Sequence, residues 1–351
     1  MKPNPKAAKE RRIFPLLSVY TETPPMKEKF ERLVRMARGR NVYIQTHDYP
    51  DPDALASAFG LQQLLKVYGI EAPICYFGTI EKVNIRMMMD VFELESLSEK
   101  EMDRIDLDSV VINVDVQKNN SNLTDMRGEE MVCFDHHPWV TDVAYDIVFH
   151  KITGACATII AELYEELGVP IPRDVATALL YGIKMDTRNL CSGVTDGDLE
   201  MFAHLHKYAD GDLIMRLDNN SLQLSDLRAY GAAIQNIVVY GRMGFVHIPF
   251  DCPDGLIASV SNFILSLDAV EISVVYADRG KGYKFSVRSE LSHVNAGQLI
   301  NLALRDVGNG GGHATMAGGL LFGERKHLLT GDPHSAIRKR FTETLEKLMA
   351  H

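Results

Sequence analysis

Residues 133–138, Cys-Phe-Asp-His-His-Pro, place one carboxylate and two imidazoles at the end of an apolar run. That run, residues 131–134, predicts a short buried strand, and Asp135, His136 and His137 would follow its apolar part. Neutral imidazole and carboxylate are both ligands for divalent metal ions. A solvated turn would explain this triplet equally well, so the metal hypothesis depends on whether other acidic residues converge on the same place.

A second group of such residues follows the predicted strand Val42–Gln45. His47, Asp51 and Asp53 lie in a predicted loop there, because two prolines cannot continue strand pairing. Asp53 takes the expected N-cap position of a helix over residues 54–68. Acids in such a loop can be simple caps and turn formers. One histidine and three acids within seven residues nevertheless favour a metal site, because open α/β sheets bind ligands beyond the carboxyl ends of their strands.

Two further acids stand at the ends of predicted elements. Asp115 follows a predicted strand over residues 109–114, and Asp186 follows a predicted helix over residues 174–184. Residues 72–77 are predicted as one more strand. If the strands are parallel, their carboxyl ends meet along one edge of the sheet. Acids at helix ends are common, but a carboxylate is unfavourable near the negative end of a helix, so Asp186 indicates a compensating cation.

Length and charge restrict the class of protein. The chain has 351 residues, more than a single core usually supports, and therefore predicts two domains. A net charge of −10 argues against a broad surface for duplex DNA, which needs clustered Lys and Arg. The five cysteines form no Cys-x-x-Cys pair, which favours reduced thiols in a cytoplasmic protein. No apolar run approaches the length of a membrane span, and no apolar signal core follows the basic N-terminus.

The pattern of elements predicts an α/β protein with two domains. Residues 26–203 are expected to form a larger domain with a mainly parallel sheet flanked by helices. Residues 234–351 are expected to form a smaller, mixed α/β domain, and residues 204–233 a linker. Residues 1–25, with five prolines, are expected to be an N-terminal extension. The active site is expected in the cleft between the domains.

The second domain contains two features that could bind an anion. Gly310, Gly311 and Gly312 precede His313, and successive glycines allow backbone N–H groups to approach an anion closely. A plain flexible turn is the alternative. Arg288 is at the end of a strand predicted over residues 284–288 and could equally be a surface charge.

These motifs, taken in order, resemble those of the DHH phosphoesterase family. The matching stretches in the first domain are residues 47–54, Asp115, residues 135–137 and residues 182–187. Residues 310–313 and 317–319 resemble the smaller C-terminal domain of that family, DHHA1. The resemblance runs from about residue 40 to about residue 325.

The resemblance implies a phosphoesterase with two divalent ions, usually Mn²⁺. The implied ligands are His47, Asp51 and Asp115 for one ion, and Asp53, Asp115, His136 and Asp186 for the other. His137 would face the substrate phosphate, and Asp135 would orient a neighbouring side chain. The family also implies that a basic residue at position 288 contacts the substrate. On ligand type alone, histidines and carboxylates favour Mn²⁺ over Mg²⁺ but leave Co²⁺, iron and zinc open.

The function expected from this resemblance is hydrolysis of short oligonucleotides, of 3′-phosphoadenosine 5′-phosphate, or of both, as in the nanoRNase group of the family. A pyrophosphatase or exopolyphosphatase and a cyclic-dinucleotide phosphodiesterase are the alternatives among enzymes. A metal-stabilised nucleotide-binding regulator is the alternative that is not an enzyme. The expected partner is a small nucleotide substrate, with no membrane contact, and a homodimer is compatible with the sequence.

Overall fold

A computed structural model describes residues 24–80, 82–219 and 222–349. The described chain contains two sheets with helices packed on them, so the predicted α/β class is confirmed. Apart from Pro24 and Pro25, the predicted N-terminal extension lies outside the described residues. Within the described residues, no helix is both long and apolar enough to cross a membrane.

The first sheet has five strands, and every pairing in it is parallel. The strands are β1 Val42–Gln45, β2 Ile74–Cys75, β3 Val110–Val114, β4 Glu129–Asp135 and β5 Ile147–His150, in the order β2-β1-β3-β4-β5. Its helices are α1 Met26–Ala37, α2 Pro52–Val67, α3 Val83–Val91, α4 Glu99–Met102, α5 Cys156–Leu167, α6 Arg173–Asp186, α7 Asp196–Leu205 and α8 Gly211–Asn219. Parallel sheets are covered on both faces, which explains why β3 is buried along its whole length.

The helices α2, α5 and α6 pack closely on one another. A Cβ atom on Gly60 of α2 would lie 3.0 Å from Ile160 of α5 and 3.0 Å from Leu179 of α6. The missing side chain therefore lets three helices approach one another. This close packing fixes the N-terminus of α2 and the C-terminus of α6, where Asp51 and Asp186 lie.

The second sheet has six strands, which pair antiparallel except for β7 with β8. They are β6 Val238–Tyr240, β7 Met243–Ile248, β8 Ile272–Arg279, β9 Gly282–Ser289, β10 Gly308–Gly312 and β11 Met316–Leu321, in the order β10-β11-β9-β8-β7-β6. The helices of this part are α9 Leu227–Asn236, α10 Asp254–Leu265, α11 Ala296–Ala303 and α12 Pro333–Met349.

Gly310–Gly312 form neither a loop nor a flexible turn, because they belong to the edge strand β10, and their role in anion binding remains a prediction. The strand packs on α11 so tightly that a Cβ atom on Gly310 would lie 2.9 Å from Ile300. Glycine is thus required for packing here, although it has low strand propensity. Arg288 lies inside β9, which continues one residue past the predicted end of the strand at residue 288.

The predicted linker is divided between the two cores. Leu213 and Leu217 of α8 are buried in the core of the first sheet, whereas Ala229 and Ala233 of α9 are buried against the second. The predicted domain boundaries at residues 204 and 233 remain predictions.

Candidate metal centre

The ends of three neighbouring parallel strands carry the candidate ligands. His47 follows β1, Asp115 follows β3 and His136 follows β4. Asp51 lies at the N-terminus of α2, and Asp186 is the last residue of α6. The sheet edge and two helix ends thus bring side chains from distant parts of the sequence together.

Two groups of candidate ligands meet at Asp115. His47 Nε2 lies 3.7 Å from Asp115 Oδ2 and 3.9 Å from Asp51 Oδ1. His136 Nε2 lies 3.3 Å from Asp115 Oδ1 and 3.4 Å from Asp186 Oδ2. Three sets each place one ligand atom per residue within 4.8 Å of the others: His47, Asp51 and Asp115; Asp53, His136 and Asp186; Asp115, His136 and His137.

Asp51 is the N-cap of α2, where the sequence predicted Asp53. Its Oδ1 atom accepts hydrogen bonds from the N–H groups of Asp53 and Ala54, both at 3.0 Å. The helix begins two residues earlier than predicted, because Pro52 is well suited to the first helical position. Capping uses one carboxylate oxygen of Asp51 and leaves the other one free to bind a metal ion.

Asp53 is buried and joins α2 to α5. Its Oδ2 atom accepts a hydrogen bond from Cys156 N at 2.7 Å, and its Oδ1 atom accepts one from Ala157 N at 2.9 Å. These are orphan donors at the N-terminus of α5. The positive end of that helix therefore stabilises a buried carboxylate beside Asp115 and Asp186.

Two atoms in the centre lack a partner. Asp115 Oδ1 and His136 Nε2 are buried and lie 3.3 Å apart, but neither atom forms a hydrogen bond of good geometry with any described residue. His136 Nδ1 lies 2.8 Å from the carbonyl oxygen of Thr153, which can only accept a hydrogen bond, so Nδ1 is the donor. In the neutral ring Nε2 then carries a lone pair directed at carboxylates. Buried polar atoms without partners are unfavourable, and a divalent cation fits this donor set.

The electrostatics of the acids also favour a bound cation. Burial and the neighbouring carboxylates Asp115 and Asp186 raise the pKa of Asp53 well above its usual value. Burial, Asp51 and Asp115 raise the pKa of Asp186 to about 6. Burial alone would lower the pKa of His136, but Asp115 and Asp53 raise it to about 11. In this arrangement the carboxylates compete for a positive charge, which bound metal ions would supply.

Asp115 has a backbone conformation that is uncommon for a residue other than glycine. Its φ is 61°, in the left-handed region, and its N–H donates to the carbonyl oxygen of Phe134 at 2.8 Å. Aspartate tolerates this region better than most residues, and strained backbone is concentrated at functional sites.

His137 forms a chain of hydrogen bonds with Asp135 and Gln117. His137 Nδ1 lies 2.9 Å from Asp135 Oδ1, and Gln117 Nε2 donates to Asp135 Oδ2. Burial would raise the pKa of Asp135, but hydrogen bonds from His137 and Gln117 hold it below its usual value. Hydrogen bonding to Asp135 raises the pKa of His137. The ring is about half exposed and can therefore reach a bound substrate.

A buried network behind His136 was missed by the sequence analysis. Asp198 accepts hydrogen bonds from the hydroxyls of Thr153, Thr158 and Thr195, and from the N–H groups of Gly154 and Thr195. The carbonyl group of Thr153 in turn accepts from His136. The Thr195-x-x-Asp198 spacing is typical of a helix cap, and its contacts with residues 153–158 have no signal in the sequence.

Arg288 and the glycine strand lie in the second part of the chain. Arg288 Nε donates to Asn262 Oδ1 at 3.0 Å. Burial lowers the pKa of Arg288, and the charge of Arg188 lowers it further. The effect of Arg188 indicates that Arg288 lies near the segment that follows Asp186. Gly310 and Gly311 line a shallow cavity of about 320 Å³ with Lys284.

His313 follows the glycine strand. Its N–H donates to the carbonyl oxygen of Met316 at 2.8 Å, which closes the turn from β10 to β11. Its side chain is exposed. No metal-ligating group among the described residues includes Arg288, the glycines or His313.

Comparison with known proteins places both parts of the chain. Residues 41–183 match the DHH family, N-terminal domain, and residues 237–327 match the DHHA1 domain. The bifunctional oligoribonuclease and PAP phosphatase NrnA of Thermus thermophilus is 30% identical over 298 residues, which cover 80% of this chain and 84% of that protein. An exopolyphosphatase-related protein from Bacteroides fragilis has a similar fold, with a TM-score of 0.72 and 20% identity over 93% of this chain and 98% of its own.

Other relatives are matched over part of their length only. The uncharacterized protein MJ1633 of Methanocaldococcus jannaschii is 26% identical over 88% of this chain, which spans 63% of that protein. A probable manganese-dependent inorganic pyrophosphatase of Streptococcus thermophilus is 27% identical over 44% of this chain and 50% of its own.

Proposed function

Because the chain belongs to the DHH family, we propose that it is a metal-dependent phosphoesterase that hydrolyses short oligonucleotides, 3′-phosphoadenosine 5′-phosphate or both. The observation that carries this proposal is the meeting of two groups of metal-competent side chains at Asp115. The buried atoms of Asp115 and His136 that form no hydrogen bond support it, because a bound cation would stabilise them.

The proposed substrate class is supported by the extent of similarity. The oligoribonuclease and PAP phosphatase of Thermus thermophilus matches 80% of the chain, whereas the Streptococcus pyrophosphatase matches 44%. The longer match has to include residues of the second sheet as well as the first. A substrate that both domains hold, such as a nucleotide with a base and two phosphates, is therefore favoured over pyrophosphate.

We propose two divalent ions, most simply Mn²⁺, as the cofactors. His47, Asp51 and Asp115 would hold one ion, and Asp53, Asp115, His136 and Asp186 the other. When bound, a pair of such ions polarises phosphoryl oxygens and lowers the pKa of an attacking water. The five cysteines are free, which supports the cytoplasmic location proposed for the protein.

The residues beside the metal ligands have proposed roles of their own. Asp135 holds Nδ1 of His137, so the Nε2 atom of His137 is directed outward and can donate to a phosphoryl oxygen or to the leaving group. The Asp198 network holds the carbonyl group of Thr153, which fixes the ring of His136. Arg288 would bind a remote phosphate, and Gly310–Gly312 with His313 would bind the end of the nucleotide.

A substrate panel tests the proposal. The full chain, purified without metal and then supplied with Mn²⁺, is assayed on short RNA, short DNA, 3′-phosphoadenosine 5′-phosphate, pyrophosphate, polyphosphate and a cyclic dinucleotide. The Asp115→Asn variant, prepared in parallel, controls for contaminating phosphatases. We expect Mn²⁺-dependent turnover of the short oligonucleotides or of the bisphosphonucleotide, and none in the variant.

Two results would reject the proposal. Turnover of pyrophosphate or polyphosphate alone would identify an enzyme for substrates without bases. Tight nucleotide binding without turnover of any substrate, at saturating Mn²⁺, would indicate a regulator instead of an enzyme.

A further inference from the structure

A cavity of about 820 Å³ lies beside the metal centre on the side of Asp51. The loop after β1 forms one wall, the start of α3 forms another, and the N-terminal end of α10 closes it from the second domain. Asp51 is the one proposed metal ligand among its lining residues. The cavity is therefore positioned to hold the part of a substrate that extends past this ion.

Tyr49 presents an aromatic ring at the edge of this cavity. Its side chain is 67% exposed although it lies two residues from Asp51. Its φ of 54° is in the left-handed region, and its N–H donates to the carbonyl oxygen of Phe77 at 2.9 Å. The backbone is thus held in an unfavourable conformation that directs a large apolar ring toward solvent.

Gly78 supports one side of that ring. A Cβ atom on Gly78 would come within 2.5 Å of Tyr49 Cε1, so the ring of Tyr49 lies directly against the glycine backbone. One face of the ring therefore packs against Gly78, and the rest of the ring is accessible to a ligand. An accessible, fixed aromatic ring is the feature on which nucleobases stack in proteins that bind single strands.

Two cationic side chains line the same cavity. Lys82 precedes α3 and Arg86 lies in its first turn. Within residues 24–80, 82–219 and 222–349, neither side chain takes part in an ion pair or a hydrogen bond. The Cε atom of Lys82 lies 3.6 Å from the position of a Cβ atom on Gly255, so its aliphatic chain reaches the start of α10.

Arg279, the third cation of the cavity, is already paired, since it contacts Asp251 and Asp254 at 2.8 and 2.9 Å. Asp226 is a lining carboxylate without an ion pair in the described part of the chain, and it accepts a hydrogen bond from the N–H of Gln223 at 2.8 Å. Lys82 and Arg86 are therefore the cations of the cavity that remain for an anionic ligand.

We infer that Tyr49, Lys82 and Arg86 form a nucleotide subsite, in which a nucleobase stacks on Tyr49 while Lys82 and Arg86 bind the adjoining phosphate. This inference rests on the proposed function and deepens it. It assigns the residues on the first domain that distinguish a nucleotide substrate from pyrophosphate or polyphosphate, which have no base to stack.

The test combines protein variants with substrates that lack one base. A ribose dinucleotide with two adenines is compared with two analogues, each abasic at one end, using wild type, Tyr49→Phe and Tyr49→Ala with Mn²⁺. In wild type, one abasic analogue should lose about ten- to a hundred-fold in kcat/KM, the effect expected for one stacked base. In Tyr49→Ala that penalty should disappear, and in Tyr49→Phe it should persist.

Three further variants extend the test. Gly78→Ala should reproduce the loss seen with Tyr49→Ala, because its methyl group displaces the ring. Lys82→Ala and Arg86→Ala should each lower kcat/KM for the dinucleotide about ten-fold and leave the penalty of the abasic analogue unchanged. Tyr208→Ala is the matched control, since Tyr208 is 50% exposed on the first domain and does not line the cavity.

A binding measurement gives a readout that does not need turnover. Adenosine 5′-monophosphate should bind wild type more tightly than ribose 5-phosphate does, and Tyr49→Ala should remove the difference. An unchanged abasic penalty and an unchanged binding difference in Tyr49→Ala would overturn the inference while the phosphoesterase stands. Absence of turnover of both the dinucleotide and 3′-phosphoadenosine 5′-phosphate in wild type would instead overturn the proposed function, and the inference with it.

Discussion

The Nδ1 atom of His137 lies 2.9 Å from Oδ1 of Asp135, a carboxylate with no exposed surface. Gln117 binds the other carboxylate oxygen of Asp135, so that acid has fixed partners on both sides. A buried acid held in this way determines which ring nitrogen of His137 faces the solvent. The neighbouring His136 is held by a backbone carbonyl instead. The two adjacent histidines are thus oriented by different groups, which is the basis for assigning them different roles.

Replacement of His137 by alanine should remove activity and leave the metals in place. The variant should lose about 10²- to 10⁴-fold in kcat, as expected for the loss of one positioned proton donor. Its metal content after dialysis, measured by elemental analysis, should equal that of wild type. Loss of one ion from the variant would show that His137 is a ligand and that the assignment to His136 is wrong.

The Asp135→Asn variant is the companion measurement. Asparagine keeps the shape of the side chain but can no longer accept from both His137 and Gln117 as a carboxylate does. We expect unchanged metal content and a loss of about 10- to 100-fold in kcat. KM should change little, because Asp135 is buried and does not contact the substrate.

Replacement of Asp115 should make the thermal stability of the protein independent of Mn²⁺. Wild type should gain thermal stability when Mn²⁺ is added, because a ligand that binds only the folded state stabilises it by about 2.7 kcal/mol at a hundred times its Kd. Asp115→Asn should lose activity and both ions, and its Tm should be the same with Mn²⁺ as with a chelator. Asparagine is chosen because it tolerates the φ of 61° at this position.

The metal-free state provides the control for this variant. Burial and the charge of Asp51 raise the pKa of Asp115 against the opposing effect of His136, so its ionised form destabilises the folded protein when no metal ion is present. Without metal, Asp115→Asn should therefore be at least as stable as wild type. A large loss of stability in the chelator, or full activity at saturating Mn²⁺, would reject the bridging role.

Most of the candidate metal ligands at the sheet edge could be predicted from the sequence, because each of them lies within a few residues of a strand or helix end. His47, Asp115 and His136 follow strands whose apolar runs are visible in the sequence. The hydrogen bonds of Asp53 could not be predicted, since its partner Cys156 is 103 residues away. Periodicity identifies elements, but it does not tell which helix N-terminus a buried acid will meet.

Three other differences have local causes. β5, Ile147–His150, was not predicted, because its four residues alternate only twice between buried and half-buried positions. The predicted strand 72–77 shortens to two residues, since Gly78 turns the chain with a φ of 90°. The glycines of β10 give no strand signal in the sequence, because strand propensity reflects side-chain packing and glycine has no side chain.

Asp198 should act as a positioning residue for His136. Asp198→Asn leaves N–H and hydroxyl donors without an acceptor, so the carbonyl group of Thr153 should shift and the ring of His136 with it. We expect an affinity for Mn²⁺ that is lower by about 10- to 100-fold. The free energy of unfolding should also fall by about 1–3 kcal/mol.

A matched variant separates positioning from general destabilisation. Leu205→Ala removes a buried side chain from the same helix α7 and should cost about 2–5 kcal/mol without changing the Thr153 contact. Mn²⁺ titrations of both variants, at a temperature where both are folded, should show weaker binding for Asp198→Asn only. Equal Mn²⁺ affinities of the two variants would show that Asp198 has a purely structural role.

Arg288 tests whether the two domains divide the work on one substrate. Its side chain is held by Asn262, and the charge of Arg188 acts on its pKa, so it lies near the α6 end of the metal centre but is no ligand. Arg288→Ala should keep both ions and lower kcat/KM for short nucleotides by about ten- to a hundred-fold, which corresponds to a charge-assisted contact of about 1.5–3 kcal/mol. Arg242→Ala, a change of an exposed arginine paired with Glu271, is the control.

The choice of substrate decides what the loss in Arg288→Ala means. A minimal chromogenic phosphodiester has no remote phosphate, so Arg288→Ala should hydrolyse it at nearly the wild-type rate. Binding of a remote group can position the reacting phosphate, and its loss then affects only substrates that carry that group. Equal losses on both substrates would place Arg288 at the reacting phosphate or in folding, and the proposed division between a metal-binding first domain and a substrate-binding second domain would be wrong.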